Sequence, residues 1–167
     1  MARPPRKADD ASLRPYTRVV KSFSLAALVL VLAGCGGDDG SSAQGYREQA
    51  EKICVSASRD AAAVTPPSDS AESVATYSDA VAEIREREAV ALSKLETPSE
   101  LEKSHALLVN ASGAIVRSLQ DLARAAERSD RTAATAAADA GARAAAQARR
   151  AANELGLPSC GKPGRAR

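Results

Sequence analysis

Histidine is almost missing from this chain: His105 is the only one in 167 residues. Methionine occurs once, at Met1, tryptophan not at all, and aromatic residues make up 2% of the sequence. These scarcities exclude whole classes of chemistry. Glu102 and His105 match the Glu-x-x-His motif of ferritin-like bundles, but such di-iron sites need two of these motifs and two further carboxylates. Haem held by His and Met, or by two His, fails on the same count, as do the usual His-based zinc sites. A Ser–His–Asp hydrolase would need His105 as its base, yet Ser104 is its immediate neighbour and so points elsewhere on a helix. Neither a Gly-x-Ser-x-Gly elbow nor a Gly-rich phosphate loop is present. Carbohydrate and peptide clefts lean on aromatic anchors, which are also lacking. His105 therefore reads as a partly exposed helix residue. No catalytic, cofactor-binding or metal residue is assigned, and the chain is expected not to be an enzyme.

Long apolar runs are missing too. The one run, Phe23 to Ala33, is eleven residues, and a spanning helix needs about twenty. It follows a basic segment with Arg14, Arg18 and Lys21 and ends in Leu32-Ala33-Gly34-Cys35. A positive region, a short apolar region and small residues before a cut is the layout of an export signal. Leu-Ala-Gly-Cys resembles the bacterial lipobox. That resemblance implies a diacylglycerol on the Cys35 thiol, cleavage after Gly34, and Cys35 as the first mature residue. Two acyl chains suffice for stable anchoring, where one does not. The stretch Gly36-Gly37-Asp38-Asp39-Gly40-Ser41-Ser42 reads as a flexible tether. The leader is long, and a start at Val19 or Val20 from a GTG codon is the alternative to Met1. The expected layout is a cleaved signal at 1–34, a tether at 35–43, a helical domain at 44–160 and a disordered tail at 161–167.

Charge points away from nucleic acid. The first 34 residues hold six of the chain's 23 Lys/Arg and two of its 21 Asp/Glu. The remainder carries 17 basic against 19 acidic residues, where a nucleic-acid binder is clearly basic. With Cys35 acylated, Cys54 and Cys160 are left, an even number in an oxidising compartment. A single disulfide is the expected state. A redox or metal pair is the alternative, and the spacing is not CxxC.

Four helical segments are readable. The first spans about 43–63, with Tyr46, Ala50, Ile53, Ala57 and Ala61 at steps of three and four. Thr65-Pro66-Pro67-Ser68 breaks it. The second spans about 70–95, with Asp69 as N-cap and Glu72 three residues on. Its expected stripe is Val74, Tyr77, Val81, Ile84, Ala91 and Leu95, and the run Glu83 to Glu88 reads as its solvated face. Thr97-Pro98-Ser99-Glu100 reads as a capping box that starts the third helix. Leu101, Leu108, Ala111, Ile115, Leu119, Leu122 and Ala126 form its face, broadened by Leu107. The fourth spans about 131–155, where thirteen of twenty residues from Ala133 to Ala152 are alanine, the best helix former. Gly156-Leu157-Pro158 is a stop signal.

Short breaks between long helices favour antiparallel neighbours, so the fold class is all-α, an Ala-rich up-down four-helix bundle with one disulfide. Arg117, Arg124, Arg128 and Arg131 fall at steps of seven, four and three. With Asp121 and Glu127 nearby, they read as a salt-bridged solvent face rather than an anion-binding stripe. The lipobox, the helices and the closing Leu155-Gly156-Leu157-Pro158-Ser159-Cys160-Gly161 are together similar to small actinobacterial lipoproteins. That likeness implies a helical domain and no activity. The expected role is a lipid-anchored, extracytoplasmic, non-enzymatic module at the plasma membrane, held there through Cys35, that engages another envelope component, a protein. A bundle holding a small or lipidic ligand is the alternative. Oligomeric state is left open.

Overall fold

The computed structural model describes residues 42–161, and all of them that form regular structure are helical. The helices are α1 (Ala43–Ala63), α2 (Ala71–Ser93), α3 (Glu102–Glu127) and α4 (Arg131–Leu155), with a 3-10 turn at Ser99–Leu101 before α3. They form the expected four-helix bundle with one disulfide. Helix α3 packs most closely, against α4 on one side and α2 on the other. No described helix is long and apolar enough to cross a membrane. The leader, Cys35 and most of the tether lie outside the described residues, as do 162–167.

Caps set the helix boundaries. Ser42 begins α1 by accepting a hydrogen bond from the Gly45 amide at 3.0 Å. Ser70, not Asp69, caps α2: its backbone is extended and its hydroxyl accepts from the Ser73 amide at 3.1 Å. Ser73 in turn accepts from the Ser68 amide at 2.8 Å, two residues before the cap, so the return bond differs from that of a capping box, which takes the amide of the cap itself. The expected box at Thr97 does not form. The Thr97 hydroxyl instead donates to the Leu95 carbonyl at 3.2 Å, at the end of α2. Leu101 then bonds back to Pro98 at 2.9 Å and starts the 3-10 turn that leads into α3.

Both long C-termini close in a Schellman motif. At α4 the Leu157 amide donates to Ala152 at 2.8 Å and the Gly156 amide to Asn153 at 3.1 Å, with Gly156 at φ 74°. At α3 the Asp130 amide donates to Ala125 and the Ser129 amide to Ala126, both at 2.9 Å. There a serine occupies the left-handed position, at φ 53°. Asp130 also caps α4, accepting from the Ala133 amide at 2.9 Å.

The core is uneven along the bundle. At the end where α1 begins and α4 finishes, Tyr46, Leu92, Leu101, Leu108, Leu155 and Leu157 pack with Cys54 and Cys160. Toward the other end the buried clusters are small: Ala57, Ala61 and Ile84, then Ala75, Ala123 and Ala126. Leu119 and Leu122 are only half-buried, and Leu107 is half exposed rather than part of the buried face. Small residues let α3 and α4 approach closely there. A Cβ on Gly141 would lie 2.7 Å from the Ser118 hydroxyl.

Candidate functional site

The chemistry-bearing side chains gather at the leucine-rich end. Cys54 on α1 bonds to Cys160 on the segment after α4, with Cα atoms 5.0 Å apart. Gly156 turns the chain back, and Gly161, at φ 73°, lies against the Arg149 backbone, so the segment runs back along α4. Two polar contacts flank the disulfide. The Arg47 guanidinium donates to the Leu155 carbonyl at 2.8 Å, and the Glu51 carboxylate accepts from the Ser159 amide at 3.3 Å. The first satisfies a carbonyl left open at the end of α4. Both cysteines are buried, so the pair is a structural tie, away from solvent and redox partners.

His105 is half-buried on α3, and its Nδ1 lies 2.9 Å from the hydroxyl of the fully buried Tyr46. The rings meet edge to face, with centroids 5.5 Å apart. With neutral imidazole, Nδ1 accepts and the phenol donates, which satisfies a buried hydroxyl. Burial pushes the His105 pKa down and the Tyr46 pKa up. The expectation of a partly exposed His105 stands, but its role in joining α3 to α1 was not foreseen. Ser104 indeed points elsewhere, donating to Glu154 on α4 at 2.7 Å. Among the described residues no group of three or more His, Cys, Asp or Glu is placed to hold a metal.

One expectation is overturned on α2. The run Glu83 to Glu88 is not all solvated: Glu88 is buried and forms an ion pair with Arg85 at 2.7 Å, their side chains 6% and 14% exposed. Burial raises the Glu88 pKa, and Arg85 pulls it partly back. The signal was in the sequence. Ser78, Val81, Arg85, Glu88 and Leu92 recur at steps of three and four, an inward stripe that carries two charges.

The arginine stripe is also rearranged. Asp121 pairs with Arg124 at 2.6 Å, not with Arg117. Arg117, Arg128 and Arg131 are exposed and have no ion pair among the described residues. An open groove runs over α1 beside Gly156 and Pro158, lined by half-exposed Val55 with Lys52 and Arg59. The chain matches no protein-family model, no curated protein and no solved structure.

Proposed function

We propose that this protein is a lipid-anchored helical module on the extracytoplasmic face of the plasma membrane, with a non-enzymatic binding or structural role in the envelope. The observation that carries the reading is the sequence Leu32-Ala33-Gly34-Cys35 after a short apolar run, followed by a Gly/Ser/Asp tether. The buried Cys54–Cys160 disulfide supports it, because such bonds persist in exported proteins and are rare in the cytosol. From Cys35 to the start of α1 is eight residues, a span of at most about 28 Å when fully extended. The leucine-rich, disulfide-bonded end would therefore sit next to the bilayer. The alternative of a ligand inside the bundle draws less support, since small residues close the helices on one another, as at Ser118 and Gly141.

The test is metabolic labelling with a fatty-acid probe. The wild type is expected to take up label and to mature at Cys35, and Cys35→Ala to lose both. Label retained on Cys35→Ala, with the same mature N-terminus, overturns the reading.

A further inference from the structure

Basic charge is concentrated in one part of a domain that is otherwise acidic. Residues 140–167 hold six Lys/Arg, namely Arg143, Arg149, Arg150, Lys162, Arg165 and Arg167, against one acid, Glu154. Residues 35–139 hold 11 Lys/Arg against 18 Asp/Glu. The fold gathers the basic block. Arg143 and Arg150 are seven residues apart on α4, two turns, and so share a face. Gly156 turns the chain back and Gly161 lies against the Arg149 backbone, so residues 162–167 leave the described fold beside Arg149. Arg143, Arg149 and Arg150 are exposed and have no ion pair among the described residues. Glu154 is engaged elsewhere, accepting from Ser104 on α3 at 2.7 Å. The exposed acids Glu72, Asp79, Glu83 and Glu86 are on α2, and α3 stands between α2 and α4. Basic and acidic surfaces thus lie on different sides of the bundle.

We propose that the basic side of α4, with the residues after Gly161, seats on the anionic phospholipid headgroups of the bilayer, so that the domain leans on the membrane with α4 inward and α2 outward. The geometry rests on the anchored reading. Helix α4 finishes at the end of the bundle where α1 begins, since Tyr46 and Leu155 share one cluster. Arg150 is five residues before Leu155, about 8 Å along the helix at 1.5 Å per residue. That is about one Debye length at physiological salt, within which a charged surface still attracts. The partner is a surface of negative charge rather than a single ligand, because the cations are spread along two turns of helix and the segment that follows. Clustered Lys and Arg beside a membrane anchor bind anionic lipid in this way, each cation raising occupancy about fivefold. The acyl chains hold the protein at the bilayer, and the patch sets how the domain lies on it.

Dye quenching on the full chain tests it. Two variants, Gln147→Cys on α4 and Glu86→Cys on α2, are purified from membranes and labelled with a thiol dye. Each is reconstituted in vesicles of phosphatidylcholine, alone or mixed with phosphatidylglycerol, that carry a headgroup quencher. On mixed vesicles the α4 dye should be quenched several-fold more than the α2 dye. The difference should vanish on phosphatidylcholine alone and at high salt. Replacing Lys162, Arg165 and Arg167 with Gln should lower the ratio of seated to free domain on the order of 100-fold, and Arg143→Gln with Arg150→Gln about 20-fold. Equal quenching of the two dyes on mixed vesicles overturns the proposal. So does a preference for the α4 dye that persists without phosphatidylglycerol or without the cations. The anchor is read separately. Cys54 and Cys160 are bonded to each other, so a chain with no added cysteine takes up dye only if the Cys35 thiol is free. Dye on that chain sinks the anchored reading, and the comparison repeated with Cys35→Ala in both variants then decides the patch by itself. No dye on that chain, with equal quenching at the two positions, sinks the seating and leaves the anchor.

Discussion

The two ends of the bundle are built from different materials. The end that holds the chain termini of the domain has a tyrosine, five leucines and a disulfide in one cluster. The opposite end has small alanine clusters, one of them with Ile84, and half-buried Leu119 and Leu122. Burial of a leucine side chain contributes about 1.5–3 kcal/mol, and alanine offers far less apolar area. What the alanine end has instead is helix propensity and close backbone approach. The comparison teaches where stability is concentrated: the end nearest the proposed anchor holds the larger core and the disulfide. The far end, with the α3–α4 turn, is expected to open first in hydrogen exchange.

The largest effect should come from the covalent tie. Cys54 and Cys160 are separated by 106 residues. In the chain-entropy model a closed loop of about 100 residues contributes about 4.7 kcal/mol, and measured values are often lower. Replacing both cysteines by serine should lower the Tm by more than about 10 °C, since about 1 kcal/mol moves a domain of this size by roughly 3–6 °C. Hydrogen exchange should then become more even between the two ends. A Tm shift of only a degree or two would show that leucine packing alone holds the tied end, and would weaken the contrast.

Much of this was legible in the sequence, for physical reasons that differ by element. Helix α4 announces itself through alanine composition, an Asp cap and a Gly-x-Pro stop, all local signals, and its observed bounds are the expected ones. The start of α2 was misplaced by one residue because Asp69 and Ser70 are both good caps. Only the three-dimensional path decides which one has extended backbone and faces the open amides. Thr97 was misread because its hydroxyl had a competing acceptor at the end of α2. Glu88 was misread because charge outweighed periodicity in judging which face was buried. The Tyr46–His105 bond joins residues 59 apart and has no local signature. The lipobox reading falls on residues outside those described, and stands on the sequence alone.

The next effect is a pH dependence with two opposing contributions. His105 has a folded pKa below its ordinary value of 6.5, because burial disfavours the imidazolium. The unfolded chain therefore binds the proton more readily. Its contribution to stability is present above about pH 6.5 and is lost as pH falls through the depressed folded value. Protonation also removes the acceptor that Nδ1 offers to Tyr46. Glu88 has the opposite sign. Its folded pKa lies above 4.5, so the folded state holds its proton more tightly, and stability is gained as pH falls through that raised value. Measured by thermal melts between pH 7 and 5, His105→Gln should flatten the loss on acidification. At pH 7 it should cost about 1 kcal/mol, the size of one hydrogen bond. An unchanged pH profile would exclude His105 as the group responsible.

The smallest effect compares the two Schellman caps directly. Gly156 ends α4 at the tied end, and Ser129 ends α3 at the alanine end, both left-handed. A residue with a Cβ is strained in that conformation by about 1 kcal/mol or more, and glycine is not. Glycine, however, loses more backbone entropy on folding, by about 0.5–1 kcal/mol. For Ser129→Gly the two terms oppose, and relief of strain should prevail by a few tenths of a kcal/mol, raising the Tm by about 1–2 °C. For Gly156→Ala strain is introduced, partly offset by the entropy gain. The new Cβ would also stand 3.4 Å from the Arg47 Nε, whose bond to Leu155 helps seat α1. That substitution should therefore destabilise by about 1 kcal/mol or slightly more. The pair tests whether the alanine end contains strain that can be removed while the tied end is already at its best residue. Equal and opposite shifts would mean that the caps are equivalent and that the asymmetry of the bundle resides in its core alone.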